Sequence, residues 1–174
     1  MTPITHGLIS WITANPLVEK KDRFLVTSAG LIPDIDGIGA IISIDYYAKY
    51  HHVLGHNLLF GILITLISLF IAKNKFLTAG LVLLSLHLHL LCDLLGSGAG
   101  WGVTYLWPFS SAMYEFQAPF QWELDSWQNL LVTAICIVLI IFISLKKNRT
   151  ILEFFSQRLD KTVVDVFHKW FKKS

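Results

Sequence analysis

The sequence predicts an all-α fold: a helical integral membrane protein with about four membrane-embedded helices and a C-terminal amphipathic helix. Three observations predict it. Hydrophobic residues make up 54% of the 174 and charged residues only 15%, against roughly 25% charged in a typical soluble domain. Long stretches carry no charge; the one at 126–145 runs twenty residues, the length a helix needs to cross hydrocarbon. The lysines and arginines gather between these stretches, in clusters at 20–23, 73–75 and 146–149.

Residues 1–18 read as a brief amphipathic helix from about Thr5, with Pro16 past its end. Residues 24–44 are apolar except for Asp34 and Asp36. Pro33 breaks or kinks any helix there, because it lacks an N–H and clashes with the preceding turn. Broken backbone at membrane depth is tolerated where it is buried in protein or lines a cavity. An amphipathic patch, Asp45 to Tyr50, leads into His51-His52-Val53-Leu54-Gly55-His56. Residues 58–72 and 76–92 are further uncharged runs, the second holding His87 and His89 with Asp93 just beyond.

Four membrane-embedded segments near 24–44, 57–72, 76–95 and 126–145 put all three basic clusters on one side. The positive-inside rule makes that side cytoplasmic, so the C-terminus is expected there. Asp34, Asp36, the histidine block and Asp93 then lie toward the opposite face. A glycine-rich turn at 96–100 opens a loop to Trp127 that holds nine of the 23 aromatic residues. An interfacial aromatic belt and a pocket wall for an amphipathic substrate both fit it. In the tail, Leu152, Phe155, Leu159, Val163, Val166 and Trp170 recur at steps of three and four, as on an amphipathic helix at a membrane surface. The expected division is a membrane-embedded domain, 1–149, and a basic amphipathic helix, 150–174. From Lys146 onward the net charge is +5 and before it −3, a pattern that suits an anionic lipid surface and not nucleic acid.

Several classes are excluded. Cys92 and Cys136 lack the spacing of a disulfide framework or a cysteine zinc site. No Gly-x-Ser-x-Gly elbow, P-loop, dinucleotide fingerprint or HExxH appears. The N-terminus lacks the pattern of a removable signal peptide.

What remains is a set of aspartates and histidines in apolar surroundings, where such residues are costly and a metal ion offsets the cost. His89 and Asp93 stand at i and i+4 and share a helix face; His87 points nearly the opposite way and reads as packing or support. Asp34 and Asp36 read as metal-binding or acid–base carboxylates ahead of a turn with a helix cap. Helical spacing pairs His52 with His56.

In this order the pieces resemble a known family: Thr5-His6, Pro33-Asp34-Ile35-Asp36, His51 through Asn57, His89 through Asp93, and Trp107-Pro108. The chain is similar to the membrane-bound metal-dependent hydrolases, also described as LexA-binding, inner-membrane-associated hydrolases. The resemblance covers residues 1–110, with the last apolar segment beyond. The family's histidine block is His-Arg-Gly-x-Thr-His-Ser, so its register pairs His51 with His56 and leaves His52, Val53, Gly55 and Asn57 as departures. The resemblance implies a metal centre of His6, Asp34, Asp36, His51, His56, His89 and Asp93, with Asp36 and His56 also catalytic. Seven candidate ligands suit one or two divalent ions, zinc above all. It implies a multi-pass protein of the bacterial inner membrane that hydrolyses a phosphoester, possibly lipid-like, by a metal-activated water. Membrane lipids and that substrate are the expected partners. The competing reading is a non-enzymatic membrane protein that carries metal ions or binds a partner.

Overall fold

Helix α1 (Pro3–Thr13) begins where the Thr2 side chain accepts from the backbone N–H of Thr5, with Pro3 at the first helical position, where its missing N–H costs nothing. The computed structural model describes residues 1–171, and every regular element among them is helical. After α1 come α2 (Lys20–Ala29), a 3₁₀ segment (Ile32–Ile41), α3 (Ile44–Tyr50), α4 (Leu58–Ile71), α5 (Lys75–Gly96) and α6 (Trp127–Lys147). A 3₁₀ turn at Ile151–Phe154 precedes α7 (Gln157–Phe171). The expected tail helix is therefore broken: Ser156 takes a capping role and accepts from the Leu159 N–H. Residues 172–174 of that expected element lie outside the described residues.

Two helices, α5 and α6, are long and apolar enough to cross a membrane. Helix α2 and the 3₁₀ segment pass the same test together but meet at a bend of 51°, where Pro33 was expected to break the chain. Helix α4 has 14 residues and so reaches about 21 Å, short of a full hydrocarbon crossing. The result is a helical membrane protein whose described residues hold two to three candidate spans. Helix α1 packs among α2, α5 and α6. The core joins Ala14 and Leu17 to Val26 and Ala29 of α2 and Val82 and Leu86 of α5.

The 3₁₀ segment positions the site. Three residues per turn put every third side chain on one face, and the burial pattern repeats with that period. Ile35, Ile38 and Ile41 are exposed, Pro33, Asp36 and Gly39 are buried, and Asp34 and Gly37 lie between. One aspartate thus faces inward while the other sits at the side.

The three basic clusters meet at one end of the bundle. Lys73 Nζ lies 2.7 Å from Glu19. Asp22 accepts from the backbone N–H groups of Lys73 and Asn74 at 2.9 and 2.8 Å. Arg149 donates to the Asn15 carbonyl at 3.0 Å.

Candidate metal centre

Four elements bring the aspartates and histidines together. Helix α5 supplies His89 and Asp93, one turn apart as expected, with His89 Nε2 3.0 Å from Asp93 Oδ2. Helix α1 supplies His6, whose Nε2 lies 3.0 Å from Asp93 Oδ1 and whose ring stacks on His89 with centroids 3.8 Å apart. The 3₁₀ segment supplies Asp34 and Asp36. The turn between α3 and α4 supplies His51, His52 and His56. His52 holds a left-handed backbone, φ 65°, which is uncommon for a residue with a side chain. Both hydrogen bonds of Thr104 to the His52 carbonyl, 3.2 and 3.1 Å, brace that bend. Asn57 then caps α4, accepting from the Phe60 N–H at 2.8 Å and donating back to the Val53 and Leu54 carbonyls. Asparagine here departs from the serine of the resembled family but keeps the capping chemistry.

The hydrogen bonds on the outer side of the cluster decide what its inner side offers. His89 Nδ1 lies 2.8 Å from the Gly30 carbonyl. A carbonyl only accepts, so Nδ1 carries the proton and Nε2 presents a lone pair. His52 Nδ1 is 3.1 Å from the Trp101 carbonyl, with the same consequence. His56 Nδ1 is 3.0 Å from Asp36 Oδ2 and donates to it. The Nε2 atoms of His56 and His89 nevertheless stand 3.0 Å apart, both near Asp93 Oδ2 at 3.4 and 3.0 Å. Asp34 Oδ1 approaches the same two nitrogens at 3.9 and 3.6 Å. Asp93 Oδ2 and Asp34 Oδ2 are buried and have no hydrogen-bond donor.

Lone pairs on four inward atoms repel unless a cation lies among them. A proton on His56 is one such cation. Burial works against charge on that ring, yet the Asp36 and Asp93 carboxylates outweigh it and hold its pKa up at about 9. Burial, together with the His56 charge, instead pushes His52 down to about 3, so its ring remains neutral and able to offer a lone pair. A divalent ion among the four atoms is another. Ligand atoms of a tetrahedral ion with bonds of about 2.0–2.1 Å stand about 3.3 Å apart, and the observed separations fall near that value. The residues therefore fit a metal. They form two overlapping groups, His6–Asp34–His89–Asp93 and His52–His56–Asp93, whose ligand atoms lie within 4.8 Å of one another. Asp93 belongs to both.

Five of the seven expected ligands, His6, Asp34, His56, His89 and Asp93, fall in these groups; Asp36 and His51 stand beside them in other roles. Asp36 was expected as a ligand and catalytic group. It stands behind the rings, with Oδ1 2.7 Å from His51 Nδ1 and Oδ2 shared by His56 Nδ1 and the Gly55 N–H. Carboxylates in that place fix the tautomer and orientation of ligating histidines. His51 stacks on Tyr47 at 4.5 Å and forms a wall of the cavity, while His52 is the histidine grouped with His56. His87 lies apart, bonded to the Leu83 carbonyl and the Tyr105 hydroxyl, and serves packing. Sequence reasoning missed the Gly30 and Trp101 carbonyls, since a backbone acceptor has no residue signature.

A cavity of about 240 Å³ opens onto the cluster between Asp34, His51, His52, Asp93 and Trp101. Trp101 and Leu124 bring the aromatic loop to its rim, whereas Phe109, Phe120 and Trp127 are exposed. That loop thus joins a pocket wall to an outward aromatic surface. Gly55 fixes the other side: a Cβ there would lie 2.5 Å from the Pro33 carbonyl oxygen. Gly55→Ala must push the histidine turn off the 3₁₀ segment and will cost about 1–3 kcal/mol of stability. Unfolding of detergent-purified protein measures it, and an unchanged transition would refute the close packing.

The family described as YdjM inner membrane protein matches residues 1–155. The chain belongs to that family. The match establishes a membrane protein family and carries no hydrolase activity or LexA binding with it. Nothing among curated proteins or solved structures matches the chain.

Proposed function

We propose that this member of the YdjM inner membrane protein family is a metal-dependent phosphoester hydrolase, zinc being the ion its ligands suit best. One observation carries the reading: the Nε2 atoms of His56 and His89 face each other at 3.0 Å beside an unpartnered Asp93 oxygen. His6, Asp34, His89 and Asp93 would hold one ion, and His52, His56 and the shared Asp93 a second. Such an ion supplies Lewis acidity, making water acidic enough to attack near neutral pH and offsetting phosphoryl charge. The chain's own residues do the rest. Asp36 holds His51 and His56 in register. Asp34, a fifth exposed at its side chain and on the cavity wall, is placed to accept the proton of the attacking water. That proton goes on to the departing alkoxide as the P–O bond to it breaks and the bond to the water oxygen forms.

With the basic clusters at one end of the bundle, the positive-inside rule places that end and the C-terminal helix in the cytoplasm. The metal centre then faces the opposite side of the inner membrane, and the substrate is reached there.

Metal analysis of detergent-purified wild type beside Asp93→Ala, with hydrolysis of bis(p-nitrophenyl) phosphate by both, tests the reading. The expected result is one or two ions per wild-type chain, and loss of both metal and turnover in the variant. Wild-type protein without bound metal would sink the proposal. Bound metal with no turnover of the phosphodiester would favour a metal carrier instead.

A further inference from the structure

The cavity over the cluster is not isolated. A second one, of about 450 Å³, shares Asp34, Tyr47, His51 and Leu124 with it as walls and continues along Gly37, Ile38 and Ile41. The two differ in chemistry. The first is walled by carboxylates and imidazoles; the second ends on isoleucines. Ile38 is 57% exposed and Ile41 84% exposed, and both lie on the 3₁₀ stripe that begins at Ile35. That stripe belongs to the bent pair whose length and composition fit a membrane span, so its outward apolar face suits lipid hydrocarbon better than water. Asp34 stands where the two cavities meet, with His89 Nε2 3.6 Å away on one side and Gly37, one 3₁₀ turn on, on the other.

A small water-soluble ester would fill only the first cavity. Nothing in its chemistry explains an apolar extension open to the bilayer. A molecule with a phosphoryl head and one long alkyl chain matches both halves. Its head reaches Asp34, His51 and the metal ligands. Its chain lies along Ile38 and Ile41 without leaving hydrocarbon, so no apolar surface has to cross water on the way to the site.

Resting on the hydrolase reading above, we infer that the substrate is a membrane-resident amphiphile, an alkyl phosphoester that approaches sideways from the bilayer between the 3₁₀ segment and the Leu124 loop. The reaction is the same: water adds at phosphorus, one P–O ester bond breaks, and the leaving alcohol takes the proton. The chain supplies location and orientation, not chemistry.

Two phosphodiesters that release the same chromophore test this, ethyl p-nitrophenyl phosphate and hexadecyl p-nitrophenyl phosphate, assayed in the same detergent micelles. Wild type and Ile41→Trp are compared, with Ile38→Trp as a second variant. Tryptophan blocks the groove by volume yet keeps the surface apolar, so neither change exposes a charge to lipid. Bound metal verifies that each variant is folded around its centre. The expected result is a ratio of kcat/KM, hexadecyl over ethyl, that falls at least tenfold in both variants. An unchanged ratio with both esters hydrolysed would overturn the sideways approach and leave the hydrolase reading standing. Hydrolysis of neither ester by metal-loaded wild type would overturn the hydrolase reading. In that case a diazirine-bearing hexadecyl phosphate decides the groove by itself: labelling of the peptide holding Ile38 and Ile41 supports it, and labelling elsewhere alone overturns it.

Discussion

His89→Ala will lower metal affinity by more than about 100-fold, since even the partners behind a ligand are worth 10–100-fold. His89 is tightly constrained. Its Nδ1 is held by the Gly30 carbonyl at 2.8 Å, its ring is stacked on His6, and it is 1% exposed. Its Nε2 therefore has one direction to point, toward His56 and Asp93. Alanine removes that atom from the His6–Asp34–His89–Asp93 group and leaves Asp93 Oδ2 without its nearest ring nitrogen. His87→Ala, two residues away on the same helix, is the matched control. His87 spends both nitrogens on Leu83 and Tyr105, so metal content should be unchanged. Titration of metal-stripped protein with zinc, followed by calorimetry, separates the two. Equal affinity in wild type and His89→Ala would refute the proposed centre.

How legible this was depends on whether a residue's role is local. His89 and Asp93 could be paired from sequence because four residues on an α-helix always return to one face. The break at Pro33 and the meeting of the basic clusters could be read for similar reasons, the missing N–H and the alternation of apolar segments. The division of labour between Asp34 and Asp36 could not. It follows from a 3₁₀ pitch, which an α-helical or irregular reading of 32–41 does not supply, although isoleucine at 32, 35, 38 and 41 carries that period in plain view. The choice among His51, His52 and His56 turns on a left-handed residue at 52, which no side-chain pattern announces. Helical spacing favours His52 and the family register favours His51. In the bent turn both rings reach the site, one toward Asp93 and one onto Asp36. The tail was legible as amphipathic but not as two pieces, because the stop at Phe155 depends on Ser156 and on Asp160 reaching back to Thr150 at 2.6 Å.

Glu153→Ala will destabilise the protein by about 3–5 kcal/mol, the cost of leaving a buried charge without its partner. Arg23 and Glu153 are 4% and 6% exposed. Both arginine Nε and NH2 reach the carboxylate, and Nε does so at 2.8 Å. The remaining nitrogen donates to the Leu17 and Val18 carbonyls, and Trp11 Nε1 adds a third donor to Glu153 at 3.2 Å. This group fastens the 3₁₀ turn ahead of α7 to α1 and α2, so the tail is part of the bundle up to Phe154 and a surface element beyond it. The exposed Phe155, Leu159 and Trp170 are then free to lie on lipid. Denaturant unfolding in mixed micelles measures the loss. The paired replacement Arg23→Met with Glu153→Leu removes both charges together and should recover at least about half of it, because apolar side chains of similar volume often match or exceed a buried ion pair. The Leu17 and Val18 carbonyls lose their donor in that pair, so recovery stays incomplete. If Glu153→Ala shifts the transition by less than about 1 kcal/mol, the pair is not desolvated, and the tail hangs on α6 alone.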